Sequence, residues 1–304
     1  MHALTQNSAS TSSRPRAEMA TRRVVRLPDG TAVPALGQGL WMMGDSPANR
    51  ASELAALRAG MEAGMTLIDT AEMYGNGRSE RLVAEAIKGM PRERLFIISK
   101  VLPTNASRAN IFRSCDTSLQ NIGTDYLDLY LLHWRGSVPL SETVTCMEEL
   151  VKSGKIRRWG VSNFDVDDMK ELWRVPNGNK CAVNQVLYHL GSRGIEFDLL
   201  PWLREHNVPV MAYCPIAQAG ELKSELYKSI AVQNVAARHS ATVTQVLLAF
   251  VLRSGHVIAI PRSSNSAHTK ENAAADSIEL TEADVAELDA AFPAPKHKKH
   301  LDII

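Results

Sequence analysis

Short apolar segments alternate with amphipathic stretches of helical periodicity, and this rhythm constrains the fold more than any single motif. Apolar segments separated by helices predict a parallel sheet, because neighbouring parallel strands need a long crossover connection. Eight such units fit one closed (β/α)8 TIM barrel better than an open doubly wound sheet. The strand candidates are residues 36–41, 66–68, 95–99, 127–132, 156–162, 182–186, 209–214 and 256–260.

The two ends of the chain add elements to this barrel. Pro28-Asp29-Gly30 between apolar residues predicts an N-terminal β-hairpin, because Asp-Gly supplies the positive φ angles of a tight turn. We predict an α/β fold with one barrel domain over residues 23–304 and extra C-terminal helices. Residues 1–22, rich in Ser, Thr, Ala and Arg, are interpreted as a disordered tail. Helices are predicted over residues 50–63, 79–88, 106–122, 141–153, 165–173, 195–206, 224–239, 243–253 and 281–290.

Composition excludes several classes of function. The net charge is +1, so no overall field favours nucleic acid or an anionic membrane. No apolar run approaches the roughly 20 residues of a membrane span. The four cysteines form no Cys-x-x-Cys motif, so we expect reduced, mostly buried thiols and no metal site. We therefore expect a monomeric cytoplasmic protein that binds neither nucleic acid nor membranes.

Polar side chains suited to proton transfer follow three successive strand candidates. Asp69 ends the segment that begins at Thr66, Lys100 follows residues 95–99, and His133 follows residues 127–132. Tyr74 lies just beyond Asp69. Because active sites of parallel barrels are built at the carboxyl ends of the strands, we expect these four side chains to meet there.

The four residues make a consistent site for protonating a carbonyl oxygen. Tyrosine has a pKa near 10, and bringing it about 3 units lower, into working range, takes roughly 4 kcal/mol. A cation about 4 Å away at an effective dielectric of 20 supplies that much. Lys100, held by Asp69, is therefore expected to lower the pKa of Tyr74, while His133 orients the carbonyl. Taken singly, each residue is more simply explained as a turn aspartate, a surface lysine or a barrel-end histidine. Those explanations do not account for the positions of the three groups at corresponding ends of consecutive strands.

With these residues in place, the chain from about residue 24 to its end resembles the aldo-keto reductase family. Leu67-Ile68-Asp69-Thr70-Ala71 with Tyr74 is similar to the family's first signature, with Lys100 and His133 at its other catalytic positions. The resemblance implies hydride transfer from a nicotinamide cofactor to a carbonyl, with Tyr74 as general acid. It implies that the cofactor is bound by Gly39, Leu40, Trp41, Ser162, Asn163, Gln185, Tyr213, Pro215, Ile216, Arg262, Ser263, Ser264, His268 and Asn272.

Three departures from the family pattern bear on the choice of cofactor. Arg262 stands where relatives commonly have lysine, and arginine can bind phosphate bidentately. His268 replaces a frequent arginine, which removes a permanent charge. Cys214 replaces a frequent serine, and sulfur is a weaker hydrogen-bond partner. NADPH is still the expected cofactor because Arg262 and Ser263 remain, with NADH as the alternative.

The expected substrate is a small carbonyl compound. Within the family, the resemblance is closest to small bacterial methylglyoxal and aldehyde reductases. Trp41, Met73 and Trp134 border the strand ends and form a candidate apolar rim, although packing between loops explains them equally well. The stretches after His133 and after Phe292 are short, so we expect an open cavity for aldehydes and 2-oxoaldehydes.

Two other classes of oxidoreductase fit the sequence poorly. Residues 37–42 lack the third glycine of a Rossmann turn, and the chain contains no Tyr-x-x-x-Lys of the short-chain dehydrogenases. A nicotinamide-binding regulatory subunit, like the barrel-shaped auxiliary subunits of potassium channels, would keep the same four residues but turn over slowly. A barrel lyase that uses Lys100 as a Schiff-base amine is disfavoured, since Asp69 would keep that amine protonated.

Overall fold

The N-terminal hairpin opens the part of the chain that a computed structural model describes, residues 22–304. The predicted tail, residues 1–22, lies outside the described residues except for Arg22. Strands β1 (Val24–Arg26) and β2 (Ala32–Pro34) pair antiparallel, with Val25 opposite Val33. Gly30 takes a φ of +85°, as the Asp-Gly turn requires.

Eight parallel strands follow, and each pairs with its neighbour in chain order. The first and last strands meet through a parallel bridge between Leu36 and Ala259, where Gly37 N donates to Ala259 O at 2.8 Å. These contacts close the sheet into the predicted (β/α)8 barrel, and the fold class is confirmed. The strands are β3 (Gln38–Gly39), β4 (Leu67–Asp69), β5 (Phe96–Val101), β6 (Leu129–Leu132), β7 (Trp159–Ser162), β8 (Asn184–Leu187), β9 (Val210–Tyr213) and β10 (Val257–Ala259).

Helices connect the strands and surround the barrel. They are α1 (Arg50–Glu62), α2 (Arg78–Ala86), α3 (Ile111–Ile122), α4 (Leu140–Lys152), α5 (Val166–Trp173), α6 (Leu199–Glu205), α7 (Glu221–Lys228), α8 (Ile230–Arg238), α9 (Val243–Leu252), α10 (Ser266–Ala274) and α11 (Glu282–Ala291). The predicted capping box of the last helix is present, since Thr281 and Asp284 exchange hydrogen bonds.

Three of the helix predictions are wrong. The helix predicted to begin at residue 106 begins at Ile111, because residues 107–110 form a turn in which Asn110 N donates to Ser107 O at 3.0 Å. The helix predicted over residues 224–239 is two helices, since Ser229 has an extended backbone (ψ 123°) between α7 and α8. The segment predicted as one helix from residue 195 is a short 3-10 turn followed by α6 at Leu199.

The core fills the barrel and the layer between strands and helices. Every residue of β4, β5 and β6 is buried, as expected for strands covered on both faces. Helix α9 is the most apolar helix, and its residues from Val246 to Leu252 are all buried. Within residues 22–304 no single helix is long and apolar enough to cross a membrane. Only α8 and α9 taken together meet that test, and they are bent by 88°.

The last residues cross the carboxyl end of the barrel. The Lys298 ammonium lies 2.6 Å from Asp165 and 2.8 Å from Asp198, so two ion pairs tie the segment to the loops after β7 and β8. Further along the same segment, the Asp302 carboxylate accepts a hydrogen bond from the Ser192 hydroxyl. The chain then reaches the cavity at the barrel mouth.

Candidate active site

A cavity of about 1020 Å³ opens at the carboxyl ends of the strands, where a parallel barrel places its active site. Its volume lies at the upper end of the range for small-molecule sites. Predicted site residues that line it are Gly39, Trp41, Asp69, Met73, Tyr74, His133, Trp134, Ser162, Asn163, Gln185, Tyr213, Pro215, Ile216 and Arg262. Gly39 has no room for a side chain, since an added Cβ would lie 2.7 Å from Ile260 O.

Lys100 lies beneath the cavity wall and joins two other predicted catalytic residues. Its Nζ donates to Asp69 Oδ2 at 2.7 Å, to Thr70 O at 2.9 Å and to Tyr74 Oη at 3.2 Å. The side chain is fully buried, and Asp69 is 2% exposed. All three protons of the ammonium therefore have an acceptor, which fixes the group in one orientation.

The pKa of Tyr74 moves opposite to the prediction. Burial raises it well above its usual value, and the negative charge of Asp69 acts in the same direction. Burial also lowers the pKa of Lys100, although Asp69 opposes that shift. The predicted net decrease in the pKa of Tyr74 is thus wrong, because the sequence does not show how completely the phenol is desolvated. At neutral pH, Tyr74 is a protonated phenol at the cavity wall.

His133 is a neutral imidazole beside the phenol. Burial, with the nearby charge of Lys100, lowers its pKa to about 3. Its ring centre lies 5.7 Å from that of Tyr74, with the planes 71° apart. Nδ1 is buried and has no hydrogen-bond partner among residues 22–304. A neutral ring keeps one N–H donor and one acceptor, which suits it to bind a carbonyl oxygen.

The residues matched to the carboxamide-binding segment form a hydrogen-bonded network across β7, β8 and β9. Asn163 Nδ2 donates to His133 O at 3.2 Å, and its Oδ1 accepts from Tyr213 Oη at 2.9 Å. Gln185 Nε2 donates to Asp69 Oδ1 at 2.8 Å, while Ser162 Oγ donates to Gln185 O at 2.9 Å. Both carboxylate oxygens of Asp69 are therefore engaged, one by Lys100 and one by Gln185.

The residues matched to the adenosine-phosphate segment lie between β10 and α10. Arg262 is exposed and lines the cavity, whereas Ser263, Ser264 and His268 lie outside it. Asn265 caps α10 by accepting from Ala267 N at 2.8 Å. Two other predicted cofactor residues are buried away from the cavity, namely Leu40 and Asn272.

Aromatic rings and two cations complete the cavity. The ring of Trp41 meets that of Tyr74 edge-on at 5.0 Å, and Trp134 lies 5.0 Å from His133. Lys223 on α7 and Arg262 line the cavity without an ion-pair partner among the residues that the structure describes. The dinucleotide implied by the resemblance is polyanionic, so this unpaired positive charge fits it.

Several lining residues were not assigned from the sequence. Most come from the loop after β9 and from the last residues of the chain, and they are Met42, Arg135, Cys214, Ala217, Gln218, Ala219, Lys223, Ile260, Ile303 and Ile304. Cys214 was noted only as a departure from the family pattern. The short stretch after Phe292 thus does reach the cavity, which local sequence patterns do not show.

The closed barrel and the polar residues at its mouth fit one family of proteins. Residues 35–292 match the aldo/keto reductase family, and the chain belongs to it. Methylglyoxal reductase YeaE of Escherichia coli K12 is 52% identical over 283 residues, which cover 93% of this chain and 99% of that protein. Glyoxal reductase of Bacillus subtilis is 34% identical, covering 88% and 91%.

Solved structures give the same result. An aldo/keto reductase from Klebsiella pneumoniae, crystallised with NADP and acetate, superposes with a TM-score of 0.90. It is 52% identical, and the match covers 93% of this chain and 100% of that one. The resemblance drawn from the sequence is confirmed.

Proposed function

We propose that this protein catalyses the NADPH-dependent reduction of aldehydes and 2-oxoaldehydes to alcohols, with Tyr74 as the general acid. The observation that carries the proposal is the hydrogen bond of 3.2 Å from Lys100 Nζ to Tyr74 Oη, made beneath a cavity that the phenol lines. The Klebsiella relative crystallised with NADP, and the methylglyoxal and glyoxal reductases among the relatives, support the choice of cofactor and substrate.

The cofactor would lie along the cavity between the network at β7 and β8 and the loop before α10. Ser162, Asn163 and Gln185 present amide and hydroxyl groups for its carboxamide, and Tyr213 presents an aromatic ring. Arg262, with Ser263 and His268 beyond it, would bind the adenosine phosphate. When bound, the reduced nicotinamide supplies the hydride.

Tyr74 supplies the proton. The alkoxide that develops as the carbonyl is reduced is a stronger base than a phenolate, so even a phenol of raised pKa transfers its proton downhill. The phenolate left behind is stabilised by Lys100, which is already in hydrogen-bonding position. The neutral imidazole of His133 would donate to the same carbonyl oxygen and hold it towards Tyr74.

Trp41, Met73 and Trp134 would form the apolar side of the substrate site. Trp41 is 38% exposed and Trp134 is 37% exposed, so both rings present area that a ligand could cover. A small 2-oxoaldehyde needs little apolar contact and relies on polar groups at the cavity floor. Bulky substrates would compete for space with Ile303 and Ile304, which line the same cavity.

Cofactor consumption tests the proposal directly. Oxidation of NADPH and of NADH is followed spectrophotometrically with methylglyoxal, a set of small aromatic aldehydes and a bulky ketosteroid. We expect kcat/KM to be highest for small aldehydes with NADPH, and to fall for the steroid. Comparable values for the steroid and the small aldehydes would contradict the substrate proposal. Turnover of no aldehyde, with cofactor bound, would favour a regulatory role for the barrel.

A further inference from the structure

Glu80 on α2 is a buried carboxylate that the proposed reaction does not use. Its side chain is fully removed from solvent. Ser99 Oγ donates to Oε1 at 2.7 Å, and Asn121 Nδ2 donates to Oε2 at 2.8 Å. Both partners are neutral, and within residues 22–304 Glu80 forms no ion pair with a cation. A buried carboxylate without a paired cation is costly, and in a medium of low dielectric its charge acts on buried cations nearby.

Lys100 is such a cation, since it is fully buried and follows Ser99 in β5. Successive side chains of a strand point to opposite faces, so Lys100 points into the barrel while Ser99 points towards the helices. Glu80 therefore faces the ammonium from the other side of the strand. The negative charge of Glu80 raises the pKa of Lys100, against the effect of burial.

The first turn of α2 makes a second link to the same ammonium. Thr70 Oγ1 donates to Ser79 Oγ at 2.9 Å, and the carbonyl of Thr70 accepts from Lys100 Nζ at 2.9 Å. Two adjacent residues of α2 thus bind the surroundings of the ammonium. Glu80 accepts from Ser99, the neighbour of Lys100 in β5. Ser79 accepts from Thr70, whose carbonyl accepts from Lys100. The same helix begins four residues after Tyr74, at Arg78.

We propose that Glu80 is a positioning residue of the active site, whose buried carboxylate holds Ser99 and supplies the second negative charge that keeps Lys100 an ammonium. This inference rests on the proposed function, because it requires Lys100 to be charged when Tyr74 gives up its proton. Asp69 provides the first charge by direct contact, and Glu80 acts across the strand.

The cation next to Glu80 in sequence is Arg81, which is exposed, donates to Asn121 Oδ1 at 3.1 Å and forms no ion pair with Glu80 within residues 22–304. Towards the barrel, Lys100 faces Asp69, Tyr74 and His133, and the imidazole is neutral because its pKa is about 3. Towards the helices, Glu80 faces two buried acids that stay protonated. Burial raises the pKa of Cys115 to about 12 and that of Tyr130 well above its usual value.

The test is the pH dependence of kcat in Glu80→Gln, with Glu53→Gln as the matched control. Glu53 is also buried, at 1% exposure, but its Oε2 accepts from Gly44 N, away from Lys100. We expect the alkaline midpoint of kcat to fall by about one pH unit in Glu80→Gln and to stay unchanged in Glu53→Gln. At neutral pH, the Glu53→Gln control should keep kcat within about threefold of the wild type.

A second variant keeps the test decisive if Glu80→Gln does not fold. Asn121 is half-buried, and Asn121→Lys would place an ammonium beside Glu80 and neutralise it. Its alkaline midpoint should move in the same downward direction. An unchanged midpoint in the folded variants, or an equal shift in the Glu53 control, overturns the inference. A wild type that reduces no aldehyde overturns the proposed function instead, so the two failures are distinguishable.

Discussion

Lys100 Nζ donates to Tyr74 Oη over 3.2 Å, and the two side chains come from different elements of the barrel: β5 and the loop after β4. Neither residue reaches solvent freely, since Lys100 is fully buried and Tyr74 is 8% exposed. The ammonium is therefore placed to stabilise negative charge on the phenol oxygen, as the proposed reaction requires.

Tyr74→Phe should abolish turnover while the site remains intact. The change removes the proton donor and little volume, so we expect kcat/KM to fall by about 10³-fold and the Kd for NADPH to change by less than about twofold. Quenching of tryptophan fluorescence reports binding, because Trp41 lines the cavity. Tyr130→Phe is the control. Its hydroxyl is buried without a hydrogen-bond partner among the described residues, so activity should persist. Near-normal turnover by Tyr74→Phe would show that Tyr74 is not the general acid.

Removing Lys100 should affect both stability and activity, and a double variant separates the two. Lys100→Met leaves Asp69 buried without its cation, which we expect to lower the free energy of unfolding by about 3–5 kcal/mol. Asp69→Asn in the same chain removes the stranded charge, so at least about 2 kcal/mol should be recovered. Activity should not recover, because no ammonium remains beside Tyr74. Urea denaturation and steady-state turnover give the two measurements, and a double variant that regains turnover would contradict the role of Lys100.

The barrel and the floor of the site were predictable because their signals are local. Alternating segments predicted the strands, and Asp69, Lys100 and His133 each follow an apolar segment directly. The carboxyl ends of parallel strands meet at one mouth, so placing the residues on strands placed them together. Tyr74 was predicted to belong to the site because it lies just beyond Asp69 in the sequence.

The rest depended on contacts that no local pattern encodes. The bond between Gln185 and Asp69 joins residues 116 positions apart. Ile304 lines the cavity, and an earlier residue of its segment, Lys298, pairs with Asp165, 133 positions away in the chain. The direction of the Tyr74 pKa was predicted wrongly for the same reason. The order of the strands predicts that Lys100 lies near Tyr74. The degree of burial of the phenol, however, depends on every element around the barrel mouth.

Acid should destabilise the protein partly through His133. Its pKa is about 3 in the folded state, so below its ordinary value of 6.5 the unfolded chain binds a proton that the folded protein does not. Stability therefore falls as the pH decreases from about 6.5 towards 3. Between pH 7 and pH 4.5 this residue alone should cost about 2–3 kcal/mol, and His133→Asn should lose that part of the dependence.

Urea denaturation of the wild type and of His133→Asn, at about pH 7 and about pH 4.5, measures how much of the loss of stability in acid comes from His133. His189 has a pKa of about 4 for the same reason, but it is present in both proteins and cancels in the comparison. Parallel pH curves for wild type and His133→Asn would show that the imidazole is not held neutral by the fold.

The preference for NADPH over NADH should depend on charge in the loop between β10 and α10. Arg262→Gln removes an exposed guanidinium that has no ion-pair partner in residues 22–304, and should weaken NADPH binding by at least about tenfold while NADH binding changes little. His268→Arg adds a permanent charge on α10 and should strengthen NADPH selectively. Lys270→Gln, an exposed charge removal on the same helix outside the cavity, is the control. Fluorescence titration with each cofactor gives the Kd values. Equal weakening of NADH and NADPH by Arg262→Gln would place the guanidinium at a phosphate that the two cofactors share, and would assign their discrimination to other residues.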